Sequence, residues 1–160
     1  MELKEIMGAF AAELGLEALE PDADGFFHLA VDEMTVSFAE LKDAGQLLTL
    51  AEVCEPPPAT QSRLYRMLME AMHMGAATGG AMFSVAPDGE KIFLQRFDAL
   101  AALDCDGFKA LLEKFVIVLE VWRPAVAAFR DIEPALDDAK KESDAALRQF
   151  GLGAEGMIRG

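Results

Sequence analysis

Phe26-Phe27-His28-Leu29-Ala30-Val31-Asp32-Glu33-Met34-Thr35-Val36-Ser37-Phe38-Ala39-Glu40-Leu41, followed after Lys42-Asp43-Ala44-Gly45 by Gln46-Leu47-Leu48-Thr49-Leu50-Ala51-Glu52-Val53-Cys54, is the stretch that decides the fold class. Its first run, Phe26 to Val31, is short, aromatic and β-branched. From Met34 the side chains alternate: Met34, Val36 and Phe38 on one face, Thr35, Ser37 and Ala39 on the other. A period of two is the mark of a strand with one buried face. Asp32-Glu33 is too short a link for anything but a hairpin. Gln46 to Cys54 is more uniformly apolar, which predicts a central strand. Pro56-Pro57-Pro58 then closes the run, because proline cannot donate to a ladder.

On the N-terminal side the pattern changes period. Leu3, Ile6, Met7, Phe10 and Leu14 form one stripe of an amphipathic helix, with Gly15 as its stop. Pro21-Asp22-Ala23-Asp24-Gly25 is turn chemistry. On the C-terminal side a second helix is predicted from about Thr60 to Gly75. Its apolar residues (Leu64, Tyr65, Met67, Leu68, Met69, Met72 and Met74 among them) spread around most of the circumference, which implies burial on more than one side. A second hairpin follows, with strands at Gly80–Val85 and Lys91–Phe97 flanking the turn signal Pro87-Asp88-Gly89. A long third helix is capped by Asp104 or Asp106 and carries Phe108, Leu111, Leu112, Phe115, Val116, Leu119 and Trp122. Pro124 predicts a kink or an end there. We expect a domain over 1–130 and, over 131–160, an acidic tail, helical in part from about Pro134 to Phe150. Glycines 151, 153, 156 and 160 predict mobility in its last ten residues. Helix, three strands, helix, two strands, helix is an α+β order with antiparallel pairing.

The chain has 160 residues and 52% of them are apolar, enough to fill one core. It carries 28 acidic and 14 Lys or Arg side chains, a formal charge of −14. That balance argues against nucleic acid as a partner, since cations are what displace phosphate counterions. It argues equally against anionic membranes. No apolar run reaches the roughly 18–20 residues of a membrane span, so we expect no membrane insertion. The first residues lack an export signal, which predicts a cytoplasmic protein. The charge is uneven: residues 1–60 hold 13 acidic and 2 basic side chains, while 61–130 hold 8 of each.

Chemistry-bearing patterns are sparse. His28 and His73 are the two histidines, and neither sits at metal-ligand spacing. Cys54 and Cys105 make no disulfide framework and are expected as small buried hydrophobes. No serine lies in a Gly-x-Ser-x-Gly elbow, and no phosphate-cradling glycine loop occurs. Asp22, Asp24 and Glu33 share a calcium-loop spacing, but Phe26 and Phe27 stand at its fifth and sixth places, against chelation. No catalytic residue, cofactor or metal is therefore expected. What remains is apolar surface in excess of what three helices and five strands can bury in one copy. Five of the nine methionines lie between Met67 and Met82, where their adaptable side chains suit an interface. The surplus predicts self-association and a further adhesive surface.

With those elements in order, the chain resembles the type III secretion chaperones of the Tir-chaperone (CesT) family. Phe108, Leu112, Phe115-Val116, Glu120 and Trp122-Arg123 are similar to that family's closing pattern. Leu47 to Val53 followed by prolines resembles its third strand and exit. Leu64 to Met72 resembles its interface helix, and Gly80 to Phe97 its hairpin. Met72-His73 stand where the family often has Ala-Asn, Pro124 interrupts the last helix, and the tail is longer than the family core. The resemblance implies a secretion-chaperone-like α+β sandwich that forms a homodimer. It implies an ATP-independent chaperone that binds the extended N-terminal region of a secreted effector polypeptide and keeps it competent for export.

Two sets of residues carry these expectations. Leu3, Met7, Phe10, Phe26 and Phe27 are expected to bind the client, although a helix stripe ordinarily faces its own sheet. Leu64, Leu68, Met72 and Met82 are expected at the dimer interface. An interaction or regulatory domain of the same fold without a secretion client is the competing reading. A small enzyme is the third, and it lacks the polar pocket residues it would need.

Overall fold

Val31 faces Met34 across a two-residue link whose Asp32 adopts a left-handed φ of 51°, and from there the two strands pair in register through Leu29–Val36 to Phe27–Phe38. The structure is a computed structural model that describes residues 2–58 and 61–149, with side chains as far as residue 129. Its elements are α1 (Leu3–Leu14), β1 (Phe27–Val31), β2 (Met34–Leu41), β3 (Gln46–Cys54), α2 (Gln61–Met72), β4 (Met82–Val85), β5 (Ile92–Ala99) and α3 (Cys105–Gln149). Single 3₁₀ turns occupy 42–44, 73–75 and 100–102. The strands form one antiparallel sheet in the order β1-β2-β3-β5-β4, so β3 is central as its composition predicts.

The ends of the helices follow their local chemistry. Gly15 closes α1 at φ 65°, where the Gly15 and Leu16 N–H groups donate back to the Ala12 and Ala11 carbonyls. Of the two candidate caps for α3, Asp104 takes the role: its Oδ1 accepts from the Gly107 N–H at 2.8 Å. The α3 helix does not end at Pro124; it continues as one element to Gln149. A proline inside a helix removes one ladder bond, here the one to the Glu120 carbonyl. Leu119 and Val126, one on each side, are both buried in the core. Residues 150–160, with the glycines expected to be mobile, lie outside the described residues.

Antiparallel register sorts the strand side chains into two faces. One face presents Phe27, Leu29, Val36, Phe38, Leu47, Ala51, Ile92 and Leu94. All three helices bury their apolar residues against it: Leu3, Ile6, Met7 and Phe10 of α1, Leu64 and Leu68 of α2, and Phe108, Phe115 and Leu119 of α3 belong to the same core cluster. At its centre Phe108 meets Phe10 and Phe38 edge-on, with ring centroids 5.2 and 5.0 Å apart. Trp122 ties α3 to the segment before β4: its Nε1–H donates to the Ala77 carbonyl at 2.9 Å and its ring meets Phe83 at 5.3 Å. The product is two layers, helices over one face of a sheet, as an α+β order requires.

Candidate functional site

The second face of the sheet has no helix over it among the described residues. The same register that sends Leu47, Thr49 and Ala51 inward sends Leu48 and Leu50 outward, with Phe97 opposite Leu48 and Phe93 in the adjoining row. None of these four packs against the core cluster. Phe97 is 37% exposed and the other three are half-buried. A row of apolar side chains on an uncovered sheet face is an adhesive surface.

The two edges of the sheet differ. At β4 the Phe83 N–H donates to the Met72 sulfur at 3.0 Å, so α2 blunts that edge. At β1 no further strand pairs among the described residues, and its outer N–H and C=O groups can accept an extended chain. The approach to β1 is shaped by Asp22. Its Oδ1 accepts from the Asp24 and Phe26 N–H groups, and its Oδ2 lies 2.9 Å from His28 Nε2, while His28 Nδ1 lies 2.9 Å from Ser37 Oγ. Asp22, His28 and Ser37 thus stand in series as a hydrolytic triad would. Ser37 sits mid-strand between two paired neighbours, however, where the backbone N–H groups serve the ladder rather than an oxyanion. The series orders the loop before β1.

The hydrogen bond from His28 holds the Asp22 carboxyl below its ordinary value of 3.8, helped by the Phe26 N–H. A depressed folded value means that the stabilising contribution is complete above the ordinary unfolded value and is lost as pH falls through the folded one. We therefore expect the Asp22 side chain to titrate below 3.8 when followed by NMR, and a midpoint at or above that value would remove the His28 contact from the description.

The expected site residues divide between surface and interior. Phe26 is half-buried at the entrance to β1, where a client could touch it. Leu3, Met7, Phe10 and Phe27 are buried in the core and present no contact surface as placed. A helical stripe has the same period whether it faces its own sheet or a guest, and here the sheet takes it. Leu64 and Leu68 are likewise interior. Met72 is half-buried against β4, and Met82 is 42% exposed. The outward residues of α2 are others: Met69 is 68% exposed, beside Tyr65, Arg66, Glu70 and His73 in a shallow depression, and Met74 beyond it is 90% exposed. The cysteines are half-buried rather than fully buried.

Sequence reasoning passed over Leu48, Leu50, Phe93 and Phe97 as binding residues. Their signal was present: β3 is apolar on both faces, which one layer of helices cannot cover. No group of three or more His, Cys, Asp or Glu side chains among the described residues is placed to hold a metal ion, and no helix among them is long and apolar enough to cross a membrane.

Comparison with known proteins places this geometry. A search of curated protein sequences returns no match. Among solved structures, a chain of the ExsC–ExsE complex superposes with a TM-score of 0.63 at 21% identity, over 79% of this chain and 97% of that one. A chain of the HopA1–SchA chaperone–effector complex gives 0.61 at 15% identity, over 76% and 92%. A chain of the heterodimeric ExoU–SpcU complex from the type III secretion system of Pseudomonas aeruginosa gives 0.59 at 16%, over 75% and 97%. At these identities the likeness is one of fold. The profile of the Tir chaperone protein (CesT) family, by contrast, matches the sequence itself over residues 5–123, from the first turn of α1 to the Trp122-Arg123 pair of α3. The chain belongs to the Tir chaperone protein (CesT) family.

Proposed function

We propose that this protein is a dimeric, ATP-independent chaperone of the bacterial cytoplasm that holds the N-terminal region of a type III secretion effector in extended form. The observation that carries the reading is the uncovered apolar sheet face, Leu48 and Leu50 of β3 with Phe93 and Phe97 of β5, in a sheet whose β1 edge, on the far side of β2, is open. One stretch of an extended client adds main-chain hydrogen bonds at β1, and a separate stretch that crosses the sheet lays its apolar side chains on that face. The first bonds are indifferent to sequence and the second contacts select it. Phe26 guards the entrance. Leu3, Met7, Phe10 and Phe27 act from inside, by fixing α1 beneath β1 and β2. The fold shared with a chaperone–effector complex supports the same reading. The test is co-purification from the native host, then limited proteolysis and mass spectrometry. A protected fragment from the N-terminal region of a secreted substrate is expected, and recovery of a regulator in its place would overturn the proposal.

Self-association is assigned to the outer surface of α2 and the segment that follows it. Residues 61–85 carry Arg63, Arg66 and Glu70 as their only charges, a net of +1 in a chain of −14. Two copies therefore meet there with the least repulsion. Antiparallel α2 helices around a two-fold axis can exchange the Arg66–Glu70 pair, 2.8 Å apart within one chain, between protomers. Met69→Glu is expected to give a folded monomer by light scattering. Leu68→Glu is expected to unfold the chain instead, because Leu68 is interior and a buried unpaired charge costs several kcal/mol. An intact Met69→Glu dimer would remove the α2 surface from the interface.

A further inference from the structure

The five methionines between Met67 and Met82 occupy different environments. Met67 is half-buried against the core. Met72 is half-buried, and its sulfur is engaged by the Phe83 N–H. Met69 is 68% exposed and Met74 90% exposed, with Met82 next at 42%. Met74 also holds a left-handed backbone, φ 58°, followed by Gly75 at φ 68°. A Cβ on Gly75 would come within 3.3 Å of the Gly80 backbone nitrogen, so the turn that displays Met74 is tightly built. L-residues with side chains avoid that region, and a strained, fully displayed apolar side chain does nothing for a solitary chain.

We propose that Met69 and Met74 are an oxidation site through which peroxide loosens the contact between two copies of this chain. The inference rests on the self-association reading given above. Each thioether sulfur loses two electrons and gains one oxygen atom from hydrogen peroxide, which departs as water; no proton is drawn from the protein. The product is a sulfoxide, a strong acceptor with no donor of its own, on a surface that pairs by apolar contact. Peroxide attacks the separated protomer, where both sulfurs are open, and the sulfoxides then oppose reassociation. A dithiol-dependent methionine sulfoxide reductase reverses the change: two thiols become a disulfide, and the oxygen leaves as water.

The test treats the full-length protein, diluted until the protomers separate, with hydrogen peroxide, maps sulfoxides by peptide mass and then measures self-association by sedimentation. Gains of about 16 Da are expected at Met74 and Met69 ahead of Met67 and Met72. The dimer dissociation constant is expected to rise about tenfold or more and to recover with reductase and dithiothreitol. The double variant Met69→Leu, Met74→Leu should stay dimeric in peroxide. An unchanged dissociation constant after full oxidation of both residues would overturn the inference while leaving the dimer reading intact. So would a double variant that dissociates as readily as the parent. A chain that is monomeric at every concentration before any peroxide is added would overturn the dimer reading, and this inference with it.

Discussion

Phe108→Ala is expected to destabilise the fold by about 3–5 kcal/mol, read as a lower urea midpoint at unchanged slope. Phe108 is fully buried and is where the layers join: its ring meets Phe10 of α1 and Phe38 of β2 edge-on. Truncation removes the transfer free energy of the ring and leaves a cavity between α1, α3 and the sheet. Two aromatic contacts, each about 0.5–1.5 kcal/mol beyond area burial, disappear with it. Three elements that are distant in sequence share this ring, so they cannot close the cavity without losing contacts elsewhere. A loss below about 1 kcal/mol would mean that the three-ring cluster is not the joint described here.

Phe97→Glu is expected to weaken capture of the client by roughly 30- to 1000-fold, corresponding to about 2–4 kcal/mol. The size of this effect follows from exposure. Phe97 lies on the face without helices, opposite Leu48, and contributes nothing to the core cluster. Its replacement should therefore leave the unfolding free energy from urea titration within about 1 kcal/mol of the parent, as surface substitutions do. A carboxylate there must be desolvated beneath an apolar client side chain, and the chain already carries −14. Leu50→Glu, one row away on the same face, should act in the same direction. Client affinity that survives both changes in a folded protein would show that the open sheet face is not the docking surface.

The alternation Met34, Val36, Phe38 and the link Asp32-Glu33 specified a hairpin, because a strand has only two faces and a two-residue turn only one topology. The stripe Leu3, Ile6, Met7, Phe10 specified a helix with one apolar side. It could not say what that side touches: a sheet of the same chain and a bound polypeptide impose the same period. The structure shows that Phe10 of this stripe meets Phe108 of α3, whose ring in turn meets Phe38 of β2. Leu64 and Leu68 went the same way, and the exposed members of α2 proved to be Met69 and, just past its end, Met74. The open face was legible only as a surplus, since Leu47-Leu48-Thr49-Leu50-Ala51 is apolar on both sides and composition does not say which side the helices cover.

Element order and fold class were thus settled by local rules of period, turn and cap, which act over a few residues and leave their mark in the sequence. Which apolar residues face inward was settled by the packing of elements far apart in the chain. All three helices lie on one side of the sheet and leave Leu48, Leu50, Phe93 and Phe97 on the other. The hydrophobic effect that drives both outcomes has no direction, so only the three-dimensional arrangement turns an apolar residue into core or into a binding surface.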